Sequence, residues 1–215
     1  MKQIILLIAV TMVFSCKSEK KNNQKLTNAE ETMISEKKEY EVVNSVILPG
    51  KNLWLFNRIL FEKKGITQVG EQSYSIARTS FEQTAYTMTP EIPINYGSLY
   101  KINLTVRRGE KSHFFGLRAV GQYPNRVDAV FDLKNGLVKE IKSSGEFVKG
   151  NASITSTGNG WYNCSIICEL DTDSVKLIFG PTNESIRTEA WESKTTELLD
   201  IEIIPESLTL EEISN

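Results

Sequence analysis

The sequence predicts an all-β protein, a jelly-roll β-sandwich of two antiparallel sheets, preceded by a signal peptide and a polar tether. Three observations predict it. From Val42 onward, short runs rich in Val, Ile, Phe and Tyr alternate with turn residues at roughly the 8–12-residue spacing of sandwiches. Several runs keep strict period two, so that one face is apolar and the other polar. No long segment between Val42 and Ile204 carries a convincing helical period.

Length and charge set the bounds. The chain has 215 residues, room for one domain plus peripheral segments. With 25 basic against 27 acidic residues it carries a net charge of −2, which supplies no broad basic field and argues against nucleic acid as partner. A single histidine, His113, restricts metal and acid–base chemistry from the outset.

Residues 1–15 read as a signal peptide. Met1-Lys2 is a positive start, Ile4 to Phe14 an apolar run too short to span a bilayer, and Ser15 stands directly before Cys16. This arrangement resembles the lipobox of bacterial lipoproteins, although Phe14 occupies a position where a smaller residue is usual. The resemblance implies cleavage before Cys16 and lipidation of that residue. An ordinary secretory signal with an incidental cysteine is the other reading, and either exports the protein. The expected location is the bacterial cell envelope, lipid-anchored, with the outer membrane as the expected membrane. Residues 16–41 are charged and amide-rich, unable to offset their ordering entropy by burial, and read as a flexible tether.

The sandwich is expected over 42–205, with an acidic tail at 206–215 outside the core. Strands are predicted at 42–48, 53–58, 74–79, 85–89, 99–107, 114–120, 127–133, 137–142, 152–155, 161–169, 174–180 and 198–204. Pro90 and Pro93 bracket a loop, and Pro181 ends the strand containing Leu177 and Phe179. Alternation assigns Tyr100, Ile102, Leu104 and Val106 inward, and likewise Phe115, Leu117 and Ala119, and Val175, Leu177 and Phe179. Roughly twelve strands suit a jelly roll better than a minimal immunoglobulin sandwich, whose Cys…Trp…Cys pattern is also missing.

Four stretches, YKINLTVRRGE, AVFDLKNGLV, NASITSTGNGWYNCSI and KLIFGPTNES, occur in the order and spacing of a recurring jelly-roll type. The chain is similar over about residues 51–205 to concanavalin-A-like or carbohydrate-binding-module-like domains appended to phage tail proteins and bacterial glycan-processing enzymes. That resemblance implies a polysaccharide or oligosaccharide ligand. Two departures are visible. Asn163 stands where arginine is common, and the usual closing segment is reduced to Leu199-Asp200-Ile201-Glu202-Ile203.

Catalytic constellations are not visible. No Gly-x-Ser-x-Gly occurs, and Ser112 and His113 as strand neighbours would point to opposite faces. Cys164 and Cys168 lie about 13 Å apart along one strand, beyond disulfide reach, and read as two small core residues. Asp128 and Asp132 have the same spacing, wider than the roughly 5–9.5 Å of glycosidase pairs, and read as solvated sheet surface. No cofactor is expected. Asp171 and Asp173 form a turn whose oxygens could hold a structural Ca²⁺, against the plainer reading of an acidic hairpin.

Sugar binders need aromatic platforms beside polar groups that fix orientation. Phe114 and Arg118 fall on the polar face of their strand, Tyr123 and Arg126 in and beside the next loop, and Trp161 on the Asn163–Ser165 face. These five are the candidate ligand-binding residues, and Trp161 has a second reading as a plug at the end of the sandwich. Trp54, among Leu53, Leu55 and Phe56, reads as core. Three functions stay open: a non-catalytic glycan-binding lipoprotein, a structural or protein-interaction sandwich of the envelope, and a lyase or hydrolase on the same scaffold.

Overall fold

The computed structural model describes residues 39–68 and 70–214. The predicted signal peptide, Cys16 and nearly all of the tether lie outside the described residues. Fourteen strands follow: β1 (Glu41–Ser45), β2 (Leu55–Asn57), β3 (Ile59–Ile66), β4 (Gln72–Arg78), β5 (Tyr86–Met88), β6 (Ile92–Pro93), β7 (Ser98–Arg108), β8 (Phe114–Val120), β9 (Arg126–Asp132), β10 (Leu137–Ser144), β11 (Val148–Gly158), β12 (Trp161–Leu170), β13 (Ser174–Thr182) and β14 (Asp200–Ser214). Sheet A runs β11-β12-β7-β14-β4-β3, with β1 beside β14, and sheet B runs β10-β9-β8-β13-β5-β2, with β6 beside β13. Every pairing is antiparallel. Successive strands repeatedly change sheet (β4 to β5, β7 to β8, β12 to β13 to β14), which is the jelly-roll winding.

The core lies between the sheets, where alternation places it. Tyr100, Ile102, Leu104 and Val106 of β7 face Phe115, Leu117 and Ala119 of β8 and Val175, Leu177 and Phe179 of β13, all essentially inaccessible to water. Each large side chain so buried contributes roughly 1.5–3 kcal/mol against the cost of ordering the chain. Trp54 joins this core as expected, edge-on to Phe179 at 5.2 Å. A stack of Phe56, Phe61 and Tyr74, with centroids 4.7 and 4.5 Å apart, continues from it along the flank where β2 of one sheet meets β3 and β4 of the other.

Cys164 and Cys168 are free thiols buried on that inner face. The Cys168 thiol donates to the Val148 carbonyl at 3.2 Å. Burial pushes it up to about 12, and pushes Cys164 up as well.

Three expectations need correction. Strand β3 was not predicted, because Glu62-Lys63-Lys64 breaks its apolar pattern. Arg58, at φ 52°, turns the chain so that β2 stays in sheet B while β3 crosses to sheet A. Pro181 does not end β13, which continues to Thr182 and pairs Pro181 with Phe115. The ladder to β5 has already stopped at Phe179, so a residue lacking N–H is tolerated there.

The acidic tail is the largest correction, for β14 runs through it to Ser214. Pro205 opens a wide bulge between Ile204 and Thr209, and the Ser207 hydroxyl accepts the Thr105 N–H at 2.8 Å in place of a ladder carbonyl. Leu208 is buried within the bulge, and beyond it the strand resumes with Leu210 and Ile213 buried and β1 paired alongside. The sandwich therefore spans both sides of the boundary expected at residue 205.

Two outcomes follow. Leu210→Ala should lower the stability read from urea unfolding by about 2–5 kcal/mol, the cost of a cavity opposite Ile102; an unchanged midpoint would put the tail outside the core. Peptide mapping after alkylation at pH 8 should find Cys164 and Cys168 unmodified in the native protein and both modified in guanidinium.

Candidate functional site

A sandwich covers one face of each sheet and leaves the other to solvent, so the outer faces decide where a ligand can bind. In sheet B the outer face is closed. The β13–β14 connection folds back over it and seats Trp191, fully buried, on Phe114, Val130 and Ile178. The fit depends on Gly116, because a Cβ at that position would lie 2.2 Å from Trp191 Cδ2. The connection is held by Arg78, whose guanidinium donates to the carbonyls of Pro181 (3.1 Å), Ser193 (2.8 Å) and Trp191 (3.3 Å).

This cover corrects the expectation for Phe114 and Arg118. Both point away from the inter-sheet core, as their alternation predicted, but both are only 6% exposed beneath the connection. Arg118 is bound to Asp128 through Nε at 2.5 Å and to both Glu192 oxygens at 2.9 and 2.8 Å, and its guanidinium lies 5.6 Å from the Trp191 ring centroid. Asp128, expected on a solvated surface, is 1% exposed and also takes Arg126 at 3.3 Å. Burial works to lower the Arg118 pKa, but Glu192 and Asp128 outweigh it and hold the guanidinium charged. Burial pushes the Asp128 carboxyl above the usual carboxylate range, against the pull of Arg118 and Arg126. Phe114, Arg118 and Arg126 are therefore parts of a closed face, with Arg126 at its margin.

Tyr123 is the opposite case. It is 93% exposed on the β8–β9 loop. Asn125 braces that loop, accepting the Glu146 N–H at 3.0 Å and donating to the Asp171 carbonyl at 3.4 Å. Tyr96, 64% exposed, reaches the Asp171 side chain from the β6–β7 loop, which raises its phenol pKa. The predicted five residues are thus divided: three in or beside the closed face of sheet B, Tyr123 on a loop, and Trp161 on sheet A.

The outer face of sheet A has no such cover among the described residues. Its register aligns polar side chains in rows across β11, β12, β7 and β14. One row is Ser153, Ser165, Asn103 and Thr209; the next is Thr155, Asn163, Thr105 and Ile204; the last brings together Trp161, Arg107 and Glu202. In the first row Ser165 donates to Asn103, whose amide donates to Thr209 at 2.9 Å. In the second, the half-buried Asn163 and Thr105 side chains have no hydrogen-bond partner among the described residues.

Trp161 closes these rows. It is 7% exposed, outside the inter-sheet core, with the Arg107 guanidinium 4.7 Å from its ring centroid. Arg107 in turn pairs with Glu202 at 2.6 Å. Trp161 is thus neither a plug nor an open platform; it walls a cleft of about 390 Å³ whose lining includes Thr105, Asn159, Ile204 and the β3–β4 turn. Asn159 donates to Gln68 of that turn at 2.6 Å and ties the two loops together. Its own turn runs through three successive positive φ angles, at Gly158 (95°), Asn159 (52°) and Gly160 (77°), which explains the Gly-Asn-Gly sequence before Trp161.

Sequence reasoning missed Arg107, Thr105 and Asn163 as a set. The signal was available in part, because their alternation with Leu104, Val106 and Cys164 already placed them on the outer face. Trp191 lies in an irregular polar segment of the sequence, and nothing near it signals its seat on Gly116.

No family model and no curated protein matches the chain. Among solved structures it is similar to a Clostridium thermocellum N-terminal endo-1,4-β-D-xylanase 10B, the CBM22-1 and GH10 modules complexed with xylohexaose, at 13% identity and a TM-score of 0.43. The similarity covers 83% of this chain and 29% of that one.

The division between closed and open faces is measurable. Asp128→Ala should cost about 3–5 kcal/mol in urea unfolding, because it leaves Arg118 buried beside a single carboxylate. Tyr123→Ala should stay within about 0.5 kcal/mol of the parent. Equal effects would contradict the closure of sheet B.

Proposed function

We propose that this protein is a non-catalytic carbohydrate-binding protein, exported and held in a bacterial envelope through lipid on Cys16, and that polysaccharide lies on the outer face of sheet A against Trp161. The observation that carries this reading is the row of unpartnered polar side chains beside the Trp161 cleft. Asn163 and Thr105 project from the centre of a rigid sheet with their hydrogen-bonding groups uncommitted. These groups keep access to water, so a ligand can take them without breaking an internal hydrogen bond. Hydroxyl-rich rings supply complementary donors and acceptors, and their apolar C–H faces suit an adjoining indole edge. Asp128, the most buried carboxylate beside the sheets, is committed to Arg118 and plays no acid–base part in this reading.

A second reading, a protein contact within the envelope, is favoured by one observation. Tyr96 and Tyr123 are exposed on loops at the far end of the sandwich. They are separated from Trp161 by the length of β7, roughly 30 Å.

Affinity electrophoresis of the full chain against a panel of polysaccharides tests the first reading. At least one polysaccharide should retard the protein, and Trp161→Ala should weaken that retardation about tenfold or more while Tyr123→Ala leaves it unchanged. Retardation lost with Tyr123→Ala but not Trp161→Ala would move the site to the loop end. No retardation by any polysaccharide, together with capture of an envelope protein sensitive to Tyr123→Ala, would establish the second reading instead.

A further inference from the structure

Two Asn-Gly bonds occur in the chain, Asn135-Gly136 and Asn159-Gly160, and each sits in a hairpin turn, between β9 and β10 and between β11 and β12. Glycine after asparagine leaves the peptide nitrogen open to attack on the neighbouring side-chain carbonyl, because no Cβ shields it. The fold treats the two bonds oppositely. We propose that Asn159 is a site of spontaneous deamidation, and that Asn135 is protected from the same reaction. The inference does not rest on the carbohydrate-binding reading, since it concerns the covalent chemistry of the turns.

The reaction needs a side-chain amide free to swing, a peptide nitrogen free to lose its proton, and room for the turn to rearrange. Asn135 lacks all three. Its side-chain amide donates to Asp132 at 2.6 Å, and its own N–H donates to the same carboxylate at 3.2 Å. The Gly136 nitrogen, which would be the nucleophile, donates to the Asp132 carbonyl at 2.9 Å. Gly136 also packs against Tyr162, for a Cβ there would lie 3.0 Å from the ring. Burial opposes ionisation of Asp132, but the bonds from Asn135 and Lys134 prevail and hold its carboxyl below the usual range. A negative charge therefore stands in the turn whose nitrogen would have to become an anion.

Asn159 meets each requirement. Its amide is held by one bond, to Gln68 Oε1 at 2.6 Å, between two exposed side chains. The Gly160 N–H has no hydrogen-bond partner among the described residues. A Cβ at Gly158 would meet nothing within 4 Å, and one at Gly160 only the stem of Arg107 at 3.8 Å, so the turn is open on both sides of Asn159.

Water is the only co-reactant. The Gly160 nitrogen gives its proton to solvent and bonds to Asn159 Cγ. The Cγ–Nδ2 bond then breaks, and the amide nitrogen leaves as ammonia with a proton from solvent. Water opens the resulting cyclic imide at either carbonyl, giving aspartate or isoaspartate. Either product replaces the donor that faces Gln68 by a carboxylate. Asn159 lines the cleft of about 390 Å³ beside Trp161 and a neighbouring one of about 540 Å³, so the new charge enters a wall shared by both. Isoaspartate also lengthens the backbone within a turn of three successive positive φ angles.

The test is incubation of the full chain at pH 8, in buffer and in guanidinium, with peptide mapping by mass spectrometry at intervals. In buffer, deamidated peptide should accumulate at Asn159 about fivefold or more faster than at Asn135, since the backbone hydrogen bond of Gly136 alone is worth that factor. In guanidinium the two rates should converge, because each bond then has only its local sequence. Asp132→Ala should raise the rate at Asn135 about fivefold through loss of the side-chain bonds and leave Asn159 unchanged. Equal rates in buffer, a faster rate at Asn135, or a difference that persists in guanidinium would overturn the proposal. So would Asn159 left intact in buffer while the guanidinium sample reacts, or an Asn135 rate unmoved by Asp132→Ala.

Discussion

The constraint on which the rest of the structure depends is the closure of the outer face of sheet B. Phe114, Val130 and Ile178 make that face apolar at its centre, and an apolar sheet face cannot be left in water without cost. The β13–β14 connection covers it with Trp191, and can do so only because Gly116 leaves room for the indole. Once one outer face is closed by the protein itself, ligand chemistry is confined to sheet A and to the loops. The polar rows of β12, β7 and β14 acquire their meaning from this asymmetry.

The ion cluster under the connection belongs to the same argument. Taking Arg118 and Asp128 out of water is expensive, and an apolar pair of similar volume would serve stability as well. What the charges add is direction. Arg118 reaches Asp128 within its own sheet and both oxygens of Glu192 in the connection, while also lying against Trp191. Arg78 meanwhile takes three carbonyls from the other side. Together these directional bonds tie the connection to β4 and β8 at fixed points, which apolar contacts alone do not do.

How much of this was legible follows from the range of each interaction. Alternation is local, so the inward faces of β7, β8 and β13, the two core cysteines and the outward direction of Phe114 and Arg118 could all be read directly. What covers an outward residue is not local. Trp191 lies far along the chain from Gly116, and no pattern near either residue announces the other. Strand β3 failed for a different reason, since Lys63 stands on the parity of the inward Ile59 and Phe61 while the outward Leu60 is apolar, and a bulge after Lys63 shifts the register. The tail failed because Pro205 is ordinarily a stop, whereas here it opens a bulge that the Ser207 hydroxyl helps to complete. The candidate site was half legible: Trp161 was found, while its companions Arg107, Thr105 and Asn163 become a group only when three strands are set in register.

That register depends on the last strand. β14 lies between β7 and β4 and contributes Glu202, Ile204 and Thr209 to the rows that end at Trp161. Its partners in β4 and β7 are more than ninety residues earlier in the chain, so the centre of sheet A is assembled from distant pairings. The Trp161 cleft also takes its lining from the β3–β4 turn, from β7, from the β11–β12 turn and from β14. No smaller portion of the sandwich reproduces it, and a ligand held there bridges segments that the unfolded chain keeps far apart. Occupancy of the cleft and integrity of the whole domain are therefore linked, because whatever binds only the assembled face stabilises the assembly in proportion to its affinity.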